Sequence, residues 1–142
     1  SEPVEGSIAL IDAIETVILS LDSQQSAMVH RGKNEYLWKF RYGTVEVFVQ
    51  LTGVTEEDLL QVWSVVLPLP AKNEMQLLQK LLTMNWSNTL EARFAIADQQ
   101  VMVMTCRSVE DLSASEVSRA ITMVATLADD YDEPLQAEFS LA

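Results

Sequence analysis

Apolar positions along this chain switch between a period of about 3.6 and a period of 2, and each switch marks a change of element. Ile8, Ile11, Ile14, Ile18 and Leu21 recur at helical spacing behind Ser7, which predicts a helix over Ile8–Leu21 with Ser7 as its cap. The polar run Asp22-Ser23-Gln24-Gln25-Ser26 ends it. Ala27 to Arg31 could form a short strand before the turn at Gly32-Lys33-Asn34. Period 2 is then clear: Trp38, Phe40 and Tyr42 alternate with Lys39 and Arg41, and beyond Gly43 the residues Val45, Val47, Val49 and Leu51 alternate with Glu46 and Gln50. Two half-buried strands joined at Gly43 fit that pattern. Glu56-Glu57-Asp58 reads as a solvated loop, and Leu59 to Leu67 as a strand stopped by Pro68 and Pro70, which cannot donate to a ladder.

Asn73 with Gln76 resembles a capping box, and Met75, Leu78, Leu81 and Leu82 follow at helical spacing, predicting a helix over Asn73–Asn85. Leu90 to Ile96 and Gln100 to Arg107 form a hairpin turning at Asp98-Gln99. Ser113-Ala114-Ser115-Glu116 is a strict capping box, and Val117, Ala120, Ile121, Val124 and Ala128 predict a helix over Ser115–Asp130. The remainder to Ala142, with Pro134 inside it, is expected to fray. The expected architecture is one α+β domain over residues 1–142, of order α-β-β-β-α-β-β-α, with three helices on a single five-stranded antiparallel sheet.

Two strands depart from this scheme. A sheet covered by helices on one side should alternate to polar on the other, yet Leu59–Leu67 places Leu60, Val62 and Val66 on one side and Trp63, Val65 and Leu67 on the other. Val101 and Val103 are likewise opposed by Met102, Met104 and Cys106. Monomers seldom expose large contiguous apolar surface, so this second face is expected to meet a partner or a second copy of the chain. Trp63, Val65, Met102 and Met104 are its candidate contact residues. Lys39 and Arg41, a small basic island, are the candidate docking spot for an acidic segment, against the simpler reading of a solvated face paired with Glu46.

The net charge of −12 and a pI near 4.3 argue against nucleic acid or an anionic membrane as partner, because binding a polyanion draws on Lys and Arg. A lone cysteine, Cys106, together with the lack of a signal-like start or a spanning apolar run, predicts cytoplasmic residence. His30 is the only histidine, and it has no second ligand or base at workable spacing, so neither a metal site nor a catalytic dyad with Cys106 is expected. Cys106 reads as a small core hydrophobe, and the acids Asp129, Asp130, Asp132 and Glu133 as a solvated helix end. No glycine-rich phosphate loop is present among Gly6, Gly32, Gly43 and Gly53. No cofactor is expected.

Several segments carry a resemblance: Trp38 and Gly43 ahead of Val45-Glu46-Val47-Phe48-Val49, then Leu67-Pro68, Leu81-Leu82-Thr83-Met84-Asn85, Phe94-Ala95-Ile96-Ala97-Asp98 with Val101-Met102-Val103, and Ala128-Asp129-Asp130-Tyr131. Over residues 8–131 the chain resembles the YbjN-type bacterial domains of the type III secretion chaperone-like fold. The resemblance implies a small, acidic, dimeric cytoplasmic protein without a catalytic motif that binds protein segments through apolar grooves and takes part in regulation. The combined expectation is a non-enzymatic protein-binding module, chaperone-like or regulatory, acting as a homodimer. The alternative is a small-ligand domain or enzyme with a pocket under the sheet.

Overall fold

A computed structural model describes residues 2–141. The elements run α1 (Ser7–Leu21), β1 (Met28–Arg31), β2 (Tyr36–Tyr42), β3 (Val45–Leu51), β4 (Leu59–Pro68), α2 (Glu74–Ser87), β5 (Arg93–Ala97), β6 (Gln100–Ser108) and α3 (Ala114–Phe139). All strands join one antiparallel sheet in the order β1-β2-β3-β4-β6-β5. It has six strands rather than the expected five. The added one, β1, is the short strand that Ala27 to Arg31 could form; it is exposed at every position, so no inward alternation assigned it to the sheet, and it is held by backbone pairing of Met28–Arg31 with Lys39–Tyr36.

The inward positions of β2, β3, β4 and β6, including Phe40, Val47, Val62 and Val103, are buried, and all three helices lie on the side to which they point. α3 crosses the middle strands and α1 packs beside it. Glu15 of α1 accepts hydrogen bonds from Trp38 Nε1 and Arg31 Nη2, both at 3.0 Å. α2 lies against β5. A register shift between Val65 and Leu67 explains part of the two-sided run in β4: the bulge turns Leu67 into the core beside Val66 instead of leaving it with Trp63 and Val65.

The caps agree with the sequence only in part. Ser113 and Glu116 form the complete reciprocal box at the start of α3. Asn73 makes no side-chain cap for α2; its backbone is left-handed, and Glu74 instead accepts from the Ala71 N–H at 2.8 Å. α1 begins at Ser7 with Gly6 in the cap position and no side-chain cap.

The largest departure lies at the C-terminal end. The segment expected to fray is helical to Phe139, running through Pro134, with Leu135 and Phe139 almost fully buried. The Phe139 carbonyl accepts from the Lys72 N–H at 2.9 Å, and Gln136 Nε2 donates to the Val66 carbonyl at 3.0 Å. Pro134 removes one N–H from the ladder, but its own position is exposed and the stripe through Ala128, Leu135 and Phe139 continues inward.

Asp132 is buried and Asp129 is part-exposed but tied to a neighbouring turn, so these two do not form the free solvated helix end of the sequence reading. Asp129 Oδ1 accepts from Thr44 N (2.9 Å) and Thr44 Oγ1 (3.1 Å), and buried Asp132 accepts from Thr44 Oγ1 at 2.7 Å. They clasp the β2–β3 turn onto α3. Gly43 permits this closeness: its φ is +57° and a Cβ there would strike the Asp129 carboxylate. Gly43→Ala is therefore expected to lower stability by about 1–3 kcal/mol in urea unfolding, and a change under ~0.3 kcal/mol would refute the clasp.

Asp58 organises the β3–β4 loop by accepting from Thr55 Oγ1 (2.7 Å), Thr55 N (3.0 Å) and Thr52 Oγ1 (2.9 Å). These bonds, the Thr55 hydroxyl foremost, hold its carboxyl below the ordinary aspartate range. A carboxylate depressed in the folded state stabilises above its unfolded pKa, and that contribution is lost as pH falls through the folded value. Asp58→Asn should accordingly lose less stability than wild type on acidification below about pH 4, as followed by circular dichroism; equal losses would show that the loop bonds are inert.

Candidate protein-binding face

Strand alternation sends every second side chain away from the helices, and antiparallel pairing aligns them in rows. One row crosses the sheet as Lys39, Phe48, Trp63, Met104 and Arg93 on β2, β3, β4, β6 and β5. Beside it run Val65, Met102 and Ala95. Phe48 and Trp63 stack with centroids 5.3 Å apart and planes 6° from parallel. Trp63, Val65, Met102 and Met104 are each half-buried, shielded by one another and not by a helix. A shallow hollow of 240 Å³ opens beside Gln61, Trp63, Met102 and Met104 and reaches Asp98 in the β5–β6 turn.

The candidate residues from the sequence therefore share one face. Lys39 and Arg41 flank its apolar centre on β2, and Arg93 flanks it on β5. Lys39 Nζ lies 3.6 Å from Glu46 Oε2, as the solvated-face reading expected, while Arg41 donates to the Thr44 carbonyl at 3.4 Å. Arg93 donates to the carbonyl of Ala92 at 2.6 Å. Phe48 and Arg93 were missed. Phe48 had a signal, being the one aromatic at an off-parity position between Val47 and Val49.

Cys106 is exposed on this same face and not in the core. β6 is bordered by two strands, but its last residues run past the end of the shorter β5, which leaves the thiol open to solvent. Gln61 Nε2 lies 3.9 Å from its sulfur. The row His30, Leu37, Gln50, Gln61, Cys106 sets the histidine and the thiol four strand spacings apart, about 19 Å. They do not form a dyad.

The sequence pattern also hides a second apolar surface. α2 buries Leu77, Leu81 and Met84, whereas Met75, Leu78, Leu82 and Trp86 form an exposed stripe on its opposite side. The helical period locates apolar residues but does not say which of two stripes turns inward. A larger hollow of 480 Å³ lies along α3, where Arg119 is the one charged lining residue and is engaged by Glu91 at 2.9 Å. Among the described residues, no group of three or more His, Cys, Asp or Glu could hold a metal ion, and no helix is long and apolar enough to cross a membrane.

One antiparallel sheet, backed by helices on one side and offering an aromatic and methionine row on the other, defines a two-layer α+β domain with a presented sheet face. Residues 10–137 match the model of the YbjN family, described as "Putative bacterial sensory transduction regulator", and the chain belongs to that family. No curated protein matches it.

Proposed function

We propose that this chain is a non-enzymatic regulatory module that acts in the cytoplasm as a homodimer and binds another protein through the open face of its sheet. The observation that carries this reading is the row Phe48–Trp63–Met104, uncovered by any helix and flanked by Lys39 and Arg93. Aromatic and methionine side chains give adaptable, well-anchored contacts. Three basic residues, Lys39, Arg41 and Arg93, against two acids, Glu46 and Asp98, leave this face with a slight basic excess within a chain of net charge −12. The fitting partner segment is apolar with acidic side chains.

The family description as a regulator supports the same reading. So does the separation of His30 from Cys106, and the tie of Arg119 to Glu91 in the 480 Å³ hollow along α3. The free thiol suits a reducing compartment. The test is a comparison of wild type and Met104→Glu as immobilised baits in native cytoplasmic extract, with retained proteins quantified by mass spectrometry. A protein held by wild type and lost with the variant is the expected result; identical retained sets would sink the reading.

A further inference from the structure

Sulfur is unevenly placed in this molecule. Of its six methionines and one cysteine, Met102, Met104 and Cys106 occupy three successive outward positions of β6. Cys106 is exposed, and the two methionines are half-buried. Their cross-strand neighbours on β4 are Val65, Trp63 and Gln61. The 240 Å³ hollow follows this row from Asp98 past Met102, Met104 and Trp63 to Gln61, whose Nε2 lies 3.9 Å from the Cys106 sulfur.

Thiolate and thioether are soft donors, and soft donors select monovalent copper over magnesium, calcium or manganese. The rest of the hollow offers little to a hard ion: Asp98 and Gln61 are the lining residues with a side-chain oxygen. Among the described residues, no group of three or more His, Cys, Asp or Glu competes for a divalent ion.

Strand spacing selects the pair of sulfurs. Outward positions two residues apart lie about 6.8 Å from each other, a gap that the flexible methionine side chain closes against a cysteine. Met102 and Cys106 are separated by about twice that distance and cannot reach one ion together. The linear coordination by two sulfurs that monovalent copper accepts therefore falls to Met104 Sδ and Cys106 Sγ. Trp63 contributes beside them. Its stacking on Phe48, with planes 6° from parallel, takes up the β3 side of the indole and leaves the other side toward Met104, where a ring face attracts a cation. Gln61 stands next to the thiol as an outer hydrogen-bond donor of the kind that orients a metal ligand. Arg93, opposite Met104 on β5, has its guanidinium occupied by the Leu90 and Ala92 carbonyls.

We infer that Met104 and Cys106 form a two-sulfur site for a soft monovalent metal ion, copper(I) or silver(I), with the Trp63 indole alongside. Binding exchanges the thiol proton for the ion and moves no electron: Cys106–SH and Cu⁺ give Cys106–S–Cu and H⁺, with the Met104 thioether as the second donor. The site goes beyond the proposed partner-binding role and stands whether or not this face meets a partner.

The experiment is anaerobic titration of the reduced full chain with copper(I) held by a coloured chelator, with Cys106→Ser, Met104→Leu and Met102→Leu measured alongside. Wild type should take up one copper(I) per chain. Cys106→Ser should lose at least about 100-fold in affinity and Met104→Leu about 10-fold or more, while Met102→Leu stays within about 3-fold of wild type. Leucine keeps the volume and apolarity of methionine, so Met104→Leu removes the thioether and should leave the circular dichroism signal unchanged. Silver(I) should quench tryptophan emission in wild type and lose that effect in Trp63→Phe. X-ray absorption at the copper edge should show two sulfur ligands. Copper(I) left wholly with the chelator would overturn the inference. Equal uptake by wild type and Met104→Leu would also overturn it, by reducing the site to a free thiol, and so would one ion per two chains, by placing the ion between two Cys106 thiolates.

Discussion

Phe139→Ala is expected to remove about 3–5 kcal/mol of stability and to lower the thermal midpoint by roughly 10 °C. Phe139, the last residue of α3, is fully buried. Its ring lies 5.8 Å from Lys80 Nζ of α2, and its carbonyl receives the Lys72 N–H. Truncating it opens a cavity where α2, α3 and the connection after β4 meet, and the neighbouring Leu135 is too constrained by its own burial to fill the space. Urea and thermal unfolding of the variant measure the effect. A loss below about 0.5 kcal/mol, the size expected of a frayed end, would mean that this part of α3 contributes little to the core.

Trp63→Ala is expected to weaken partner binding at least 30-fold while costing only about 1 kcal/mol of stability. The stability loss is small because Trp63 sits on the side of β4 opposite the core: its neighbours are Phe48 and Met104, and no helix packs on it. The binding loss is large because a central aromatic in a row of adaptable side chains is the residue type that carries interface energy. Isothermal calorimetry with the retained partner and urea unfolding of the same variant separate the two quantities. If stability falls by 3 kcal/mol or more and affinity follows only through unfolding, Trp63 is a core residue and the open face has no role. Lys39→Glu should act differently, weakening binding more at low ionic strength than at high, since rim charges are screened within about 10 Å at 0.1 M salt.

The strands around Trp63 and Met104 broke the expected alternation, and that break located the open face from sequence alone. Here the signal was strong because period 2 makes parity unambiguous: a residue is on one face or the other. Leu67 escaped the rule because a bulge inserts one position, which no apolar pattern reveals. α2 failed for another reason. With apolar residues on two sides, its period fixes the helix but leaves the inward stripe to tertiary packing. β1 was legible only as the short strand that Ala27 to Arg31 could form, without a place in the sheet, because all four of its residues are exposed and only backbone pairing defines it. Reading Pro134 and the acids around it as an end rather than a continuation hid the last turns of α3, although Leu135 and Phe139 stand seven and eleven residues beyond Ala128, on the same stripe.

The contact between Thr44 and Asp129 turns a single amide into a gauge for a long helix. Inside a hairpin turn, a backbone N–H pointing out of the ladder would normally exchange with deuterium almost freely. That of Thr44 is held by a carboxylate 85 residues away, so exchange needs the Asp129 side chain to let go, by its own rotation or by the C-terminal half of α3 lifting from the hairpin. Its protection factor therefore reports how firmly that contact holds, distinct from global unfolding. Following this one signal as a partner is added would show whether occupation of the far side of the sheet is felt by the helix behind it.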